Sequence, residues 1–232
     1  LVEQQQHLDQ RDTARTSWIA GVSHDIRTPL ALILGYSDAL ASNEALGEEE
    51  RGQAEAIRSQ SLQIRHLIED LNLTSKLEYD FQPLRKQTFY PANLLRECVA
   101  EFYNEGLPEI YEISLTVPKE AERIRLSGDV KLWMRAVRNL IRNSVEHNPE
   151  GCVIEISVVW REDRLCWRFW DSGTGIMPSV KEVLEESGFS MEKGVHVMGL
   201  RIVSQIARAH GGRLVLQPKE NGNYLPEIWI FM

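Results

Sequence analysis

The sequence predicts an α+β protein: an N-terminal two-helix hairpin, then a two-layer α/β sandwich with a mixed sheet. Three observations carry this. Residues 1–80 hold apolar side chains at steps of three and four, the period of a helix with one buried stripe. A segment carrying Pro83 and Pro91 breaks that pattern at 79–91. Beyond it, alternating strand-like runs and short helical runs take turns.

The first helix spans 1–41, with the single proline Pro29 and a stripe of Ile19, Val22, Ile26, Leu30 and Ile33. Ser42, Asn43 and Gly47 mark a turn. The second helix spans 48–78, with Ile57, Ile64, Leu67, Ile68 and Leu71 as its stripe. Two long helices joined by a short turn make a hairpin. Each seam is narrow, so the hairpin alone buries too little. Pairing of two copies into a four-helix bundle, and hence a homodimer, is the expected solution.

In the second part, 84–89, 112–117 and 123–127 read as strands, and 92–103 and 130–147 as helices. Runs 153–160 and 165–170 alternate apolar and polar, with 161–164 as a hairpin turn. A helix over 199–210 ends at Gly211-Gly212, and strands 213–217 and 227–231 follow. Hairpin-linked strands with separate helices argue for the sandwich.

Composition narrows the class. The 232 residues are 43% hydrophobic and 26% charged, ordinary for a folded domain with a core. A net charge of −8 argues against a nucleic-acid partner, which needs a basic surface. Cys98, Cys152 and Cys166 have no metal-type spacing and read as reduced thiols. No apolar run approaches the roughly 20 residues that span a bilayer. There is no signal-peptide pattern. The chain opens on Leu1 in a Gln-rich stretch, as expected of a piece of something longer.

One octapeptide stands out: Ser23-His24-Asp25-Ile26-Arg27-Thr28-Pro29-Leu30. On a helix, His24 shares a face with Arg27, Thr28, Ala31 and Gly35, all small or polar. The imidazole is therefore expected to be exposed. Pro29 lacks an N–H and crowds the carbonyl of Asp25, so a kink is expected there. A neutral imidazole has a lone pair with which to attack phosphorus. A neighbouring carboxylate holds the other ring N–H and stabilises developing positive charge, which suits Asp25. Thr28, one turn on, is placed to position a water for the reverse hydrolysis. Taken alone, His-Asp is most often just a solvated pair. The whole octapeptide, with the motifs downstream, outweighs that reading.

The octapeptide resembles the H box of the sensor histidine kinases of two-component systems, with Trp18 where that family has an aromatic. The resemblance implies that His24 is the phosphoacceptor, Asp25 its activating acid and Thr28 a residue of the phosphatase reaction. It also implies a homodimeric helical hairpin and an aspartate-bearing response-regulator receiver domain as partner. On this basis 1–15 continues an upstream signalling helix and 16–80 is the dimerisation and phosphotransfer domain. Residues 81–232 form the ATP-binding catalytic domain. The whole is expected to be the cytoplasmic portion of a membrane-anchored bacterial sensor, the anchor lying upstream.

Asn139 and Asn143 lie four apart on one helix face. Neutral amide oxygens suit Mg²⁺, which is usually shared with substrate phosphates. Asn139-Leu-Ile-Arg-Asn143-Ser144 resembles the N box of the same family, which implies that Asn143 is the Mg²⁺ ligand with Asn139 nearby. Asp171-Ser-Gly173-Thr-Gly175-Ile176 follows a strand. An acid there can accept from an adenine amino group. GTP would oppose acceptor to acceptor, so ATP is expected. Its glycines allow close backbone approach. This run resembles the G1 box.

Between Ile176 and Gly199 the family places a mobile lid ending in a glycine-rich run. Here Val195-His196-Val197-Met198-Gly199-Leu200 keeps one glycine of that pattern. Gly199-Leu200 is expected to open a helix whose N–H groups bind phosphate. Gly188-Phe189-Ser190 reads as a reduced F box, and Lys193 and His196 as candidate phosphate contacts. The expected activity is autophosphorylation of His24 from ATP and Mg²⁺, followed by transfer to the regulator. The shortened lid leaves an alternative, mainly a phosphatase or an ATP-regulated scaffold. A chaperone-like or topoisomerase-like ATPase would lack the H box, and a bare coiled-coil adaptor would make Asn143 and Asp171 accidental.

Overall fold

The computed structural model describes residues 2–78, 83–161, 164–185 and 196–231. The chain divides into two compact units, Leu1–Gln82 and Pro83–Met232.

The first unit is the hairpin of α1 (Val2–Ala41) and α2 (Glu48–Glu78). Asn43 shapes the turn by accepting the Ala45 N–H at 3.0 Å. Three glutamates, Glu48 to Glu50, fill the first turn of α2, where the helix dipole favours them. The predicted stripe is only partly buried. On α1, Ile19 and Leu30 are covered together with Ser23 and Ser37; on α2, Ala54, Ser61 and Ser75 are covered. Val22 on the same stripe stays at the surface, and Ile26, Ile33, Leu40, Ile57 and Ile64 stay 39–49% exposed. The period reports every apolar position. It does not say which of them face the partner helix. Ile19, Leu30, Leu73 and Leu77 are buried beside the small side chains of Ala54, Ser61 and Ser75, while Ile26, Ile33, Ile57 and Ile64 are left outside. The buried hydroxyls are satisfied locally, Ser23 Oγ by the Ile19 carbonyl at 2.6 Å and Ser37 Oγ by that of Leu34 at 2.9 Å.

The second unit is built on a five-stranded sheet of order β2-β4-β5-β7-β6. These are β2 (Tyr111–Thr116), β4 (Cys152–Arg161), β5 (Arg164–Asp171), β6 (Arg213–Pro218) and β7 (Tyr224–Phe231). Only β2 and β4 pair in parallel, so the sheet is mixed. A two-stranded ribbon joins β1 (Gln87–Phe89) to β3 (Leu126–Gly128). The helices are α3 (Pro91–Asn104), α4 (Val130–Glu146), α5 (Pro178–Glu185) and α6 (His196–Ala209).

Alternation on β5 turns Leu165, Trp167 and Phe169 into the core, beside Ile156 and Val158 of β4 and Ile228 and Ile230 of β7. Trp133, Val137, Leu140 and Ile141 of α4 cover them, and Trp133 meets Trp167 edge-on at 5.2 Å. Asp129 caps α4 by accepting the Leu132 N–H at 3.3 Å. His210, just past α6, accepts the Asp129 N–H on Nε2 at 2.9 Å and lies 2.7 Å from the Ile206 carbonyl through Nδ1. It thereby ties the end of α6 to the start of α4. On the outer edge of β2, the Tyr103 hydroxyl bonds both the N–H (2.8 Å) and the carbonyl (3.2 Å) of Ile113.

Three expectations need correction. The ribbon strands are shorter than read, at three residues each. Helix α5 was not foreseen, because eight residues give too few turns to show a period. Helix α6 starts at His196 rather than Gly199. With Val197 standing where the family pattern has a glycine, nothing breaks the helix, and Val197, Leu200 and Val203 continue its buried face.

Candidate functional site

In the first unit the relevant surface is on α1. The His24 side chain is 75% exposed and its Nδ1 lies 3.3 Å from the Asp25 carboxylate, itself 85% exposed. With Nδ1–H directed at Asp25, the Nε2 lone pair is the free one. Thr28 is exposed one turn further, and α1 runs unbroken through Pro29. Ser23, the residue before His24, is buried with its hydroxyl bonded back to the Ile19 carbonyl of the same helix. Ile19, before the octapeptide, and Leu30, at its end, turn inward, and the small polar face presents the imidazole.

In the second unit a cleft opens between α4, the end of β5 and α6. Its walls include Asn143, Ser144 and His147 on one side, Asp171, Gly175 and Ile176 on another, and Leu200 on α6. Asn143 is on the rim of α4 because the opposite face carries Trp133, Val137 and Leu140 into the core. Asp171 ends β5 and is 7% exposed. One carboxylate oxygen accepts the Gly173 N–H at 3.0 Å, and the other lies 3.3 Å from the Ser144 hydroxyl. These bonds fix the carboxylate plane without using all of its lone pairs.

The loop after Asp171 is gripped from two sides. Asn148 donates to the Ser144 carbonyl at 2.7 Å, and a Cβ on Gly173 would fall 1.7 Å from its Oδ1, so only glycine fits there. Gly175 has φ +77°, with the Tyr224 carbonyl 2.9 Å from where a Cβ would stand. Ile176 and Tyr224 exchange backbone bonds at 2.9 and 2.8 Å. The β6–β7 turn adds Lys219, Asn221 and Asn223, whose side chains all donate to carbonyls of 171–174.

Of the residues singled out in the sequence, the cleft gathers Asn143, Asp171, Gly175, Ile176 and Leu200. Gly199 packs against Asn143, with 3.3 Å between the would-be Cβ and Oδ1. Gly173 supports the loop. Asn139, one turn before Asn143, is not a wall residue; its Nδ2 is buried with no partner. Gly188-Phe189-Ser190, Lys193 and Gly194 lie outside the described residues. Sequence reasoning missed Asn148 and the Lys219 turn, since both act through tertiary contact and neither has a periodic signal.

The residues fit a magnesium nucleotide. Among the described residues no group of three His, Cys, Asp or Glu side chains could hold a metal by itself. Asn143, on the cleft wall, carries a neutral amide oxygen, a ligand type that Mg²⁺ takes together with phosphate oxygens.

Residues 14–80 match the His Kinase A (phospho-acceptor) domain, and residues 128–230 match the histidine kinase-, DNA gyrase B- and HSP90-like ATPase family. A phospho-acceptor hairpin followed by an ATPase-type sandwich defines a class of signalling protein. The chain belongs to the two-component sensor histidine kinases. It is 29% identical over 217 residues to sensor histidine kinase YvrG of Bacillus subtilis, covering 89% of this chain and 37% of that protein. The chain thus spans about a third of that relative's length. Its fold is similar to part of full-length ShkA, solved with AMPPNP, at 22% identity and TM-score 0.67, covering 92% of this chain and 44% of that one. ThkA in complex with the response regulator TrrA shares the fold at 21% identity and TM-score 0.65, covering 97% of this chain and 65% of that one.

Proposed function

We propose that this chain is the kinase core of a sensor: it transfers the γ-phosphoryl group of ATP to Nε2 of His24, then to an aspartate of a response-regulator receiver domain. The observation that carries this is the exposed His24–Asp25 pair, 3.3 Å apart on an uninterrupted helix. Asp25 holds Nδ1–H, keeps the ring oriented and stabilises the imidazolium as the Nε2–P bond forms and the bond to the ADP oxygen breaks. Asp171 accepts from the adenine amino group and so favours ATP over GTP. Asn143 would hold Mg²⁺, which when bound neutralises phosphate charge. Leu200 and Gly199, in the first turns of α6, lie on the phosphate side of this arrangement.

The exposed isoleucines of α1 and α2 support homodimerisation into a four-helix bundle. The regulator would dock on that bundle beside His24. Thr28 would serve the reverse hydrolysis. A scaffold role is less favoured, because the ATPase-type domain is matched along with the H box. No described helix is long and apolar enough to cross a membrane. A membrane anchor and sensor upstream, with this portion cytoplasmic, is part of the proposal.

Incubation with γ-labelled ATP and Mg²⁺ tests the reading. Acid-labile, alkali-stable label in wild type, absent in His24→Ala and Asn143→Ala, is expected. Measurable ATP binding with no label in any of the three proteins would overturn it.

A further inference from the structure

The backbone around Asp171 contains an unusual arrangement. β5 and β7 stay paired only as far as Arg168 and Glu227. Beyond that point the strands part around the cleft, where the β7 wall residue is Pro226, which has no N–H to give. Asp171 still pairs on its other side with Ile154 of β4. Its carbonyl therefore points into the gap without a strand partner.

Lys219 fills that gap. Its ammonium lies 2.9 Å from the Asp171 carbonyl and 2.6 Å from the Gly173 carbonyl, and 5.5 Å from the centre of the Trp170 ring. Asn221 and Asn223 both donate to the Thr174 carbonyl, at 3.0 and 2.7 Å. Three carbonyls of one short loop are thus held by one turn of a neighbouring hairpin. The turn is itself rigid: Lys219 N–H bonds the Asn223 carbonyl at 2.7 Å, and Gly222 takes φ +82° to close it.

We propose that Lys219 is a positioning residue that sets the place of the Asp171 carboxylate and thereby the preference for adenine over guanine. The inference rests on the nucleotide reading of the cleft. A point cation bonded to two carbonyls at once fixes both peptide planes, and the carboxylate, which accepts the Gly173 N–H of the same loop, inherits that geometry. Lys219 is not among the residues that line the cleft; it acts through the loop. Loss of the ammonium lets Asp171 shift by the fraction of an ångström that separates a good amino-to-carboxylate bond from a poor one. The effect belongs to nucleotide affinity rather than to the phosphoryl step.

The test is calorimetric titration of Mg-ATP and Mg-GTP into the full chain, with autophosphorylation rates measured beside it. Wild type, Lys219→Met, Lys219→Arg and Asp171→Asn are compared. Lys219→Met is expected to raise Kd and KM for ATP about tenfold, the scale of a lost charged hydrogen bond. It should narrow the ATP-to-GTP ratio and leave kcat at saturating ATP near wild type. Lys219→Arg should recover most of the affinity, since a guanidinium can donate to both carbonyls. Wild-type ATP affinity and ratio in Lys219→Met, with binding lost in Asp171→Asn, would overturn the inference and leave the site reading standing. Equal ATP binding by wild type and Asp171→Asn, or none by wild type, would overturn the site reading and the inference with it. Should Lys219→Met fail to fold, Lys219→Ala takes its place, and wild-type affinity in that variant would equally overturn the inference.

Discussion

Ser144 and Asp171 are 27 residues apart in the chain, yet the Ser144 hydroxyl lies 3.3 Å from an Asp171 carboxylate oxygen inside the cleft. α4 brings one and the end of β5 the other, so this contact registers the helix layer against the sheet at the nucleotide site. Ser144→Ala should leave the carboxylate held only by Gly173. We expect ATP affinity to fall about two- to tenfold, the range for one long hydrogen bond, with little change in melting temperature. Calorimetry on the variant checks it, and unchanged affinity would show that Asp171 is fixed from the loop side alone.

Asp25→Asn keeps the shape beside His24 and removes the charge. Positioned acid–base groups contribute roughly 10²–10⁴ in rate. The phosphorylation rate should drop at least about 100-fold with ATP affinity unchanged. A rate within a factor of about three of wild type would remove Asp25 from the chemistry.

Gly173→Ala places a methyl group onto Asn148, whose Oδ1 would be 1.7 Å from the new Cβ. Asn148 must move and release the Ser144 carbonyl. A cost of about 1–3 kcal/mol in stability and weaker ATP binding are expected. The double change Gly173→Ala with Asn148→Ala should relieve the clash but not restore the bond to the Ser144 carbonyl, and so should recover only part of the stability, as read from urea melts.

His210 supplies a pH dependence. Burial pushes its pKa below the ordinary 6.5, opposed by the bond to the Ile206 carbonyl and the charge of Asp129, with Lys86 lowering it further. The lone pair on Nε2 accepts the Asp129 N–H, and protonation would set donor against donor. For a pKa lowered on folding, the stabilisation is full above the unfolded value and is lost as pH falls through the folded one. Urea melts followed by tryptophan fluorescence should therefore show stability falling below about pH 6.5. His210→Phe should be less stable at pH 7.5 and lack that component of the fall. Parallel pH profiles in the two proteins would exclude His210 as the cause.

Ile33→Asp and Ile64→Asp change exposed apolar residues of the hairpin. Each should convert a dimer to a monomer by light scattering while leaving ATP affinity intact. Dimers of wild-type strength in both variants would place the subunit contact elsewhere.

Much of this architecture was legible in the sequence because it is periodic or local. Trp133, Val137 and Leu140 announce α4 by their spacing, and alternation marks β5 from Leu165 to Phe169. The motif residues Asn143, Asp171 and Gly175 fall in one cleft because strand and helix lengths leave few other places for them. What escaped was tertiary. Val22, Ile26 and Ile33 share a stripe with Ile19 and Leu30, and a period cannot say which of these a single partner helix covers. Lys219 has no local signature, since its value comes from a gap between β5 and β7 that opens 48 residues earlier in the chain. The start of α6 was misplaced because a glycine was given more weight than the helix-compatible residues before it.

Tyr103 has a consequence for behaviour at high concentration. A free β2 edge would offer a template on which another chain could add a strand. With the phenol seated on both backbone groups of Ile113 at the middle of a six-residue strand, an incoming strand would have to expel the ring before making its central bonds. The α3 side chain thus works as a gatekeeper against sheet-to-sheet aggregation. It does so without a proline or a bulge, and β2 keeps its full pairing with β4.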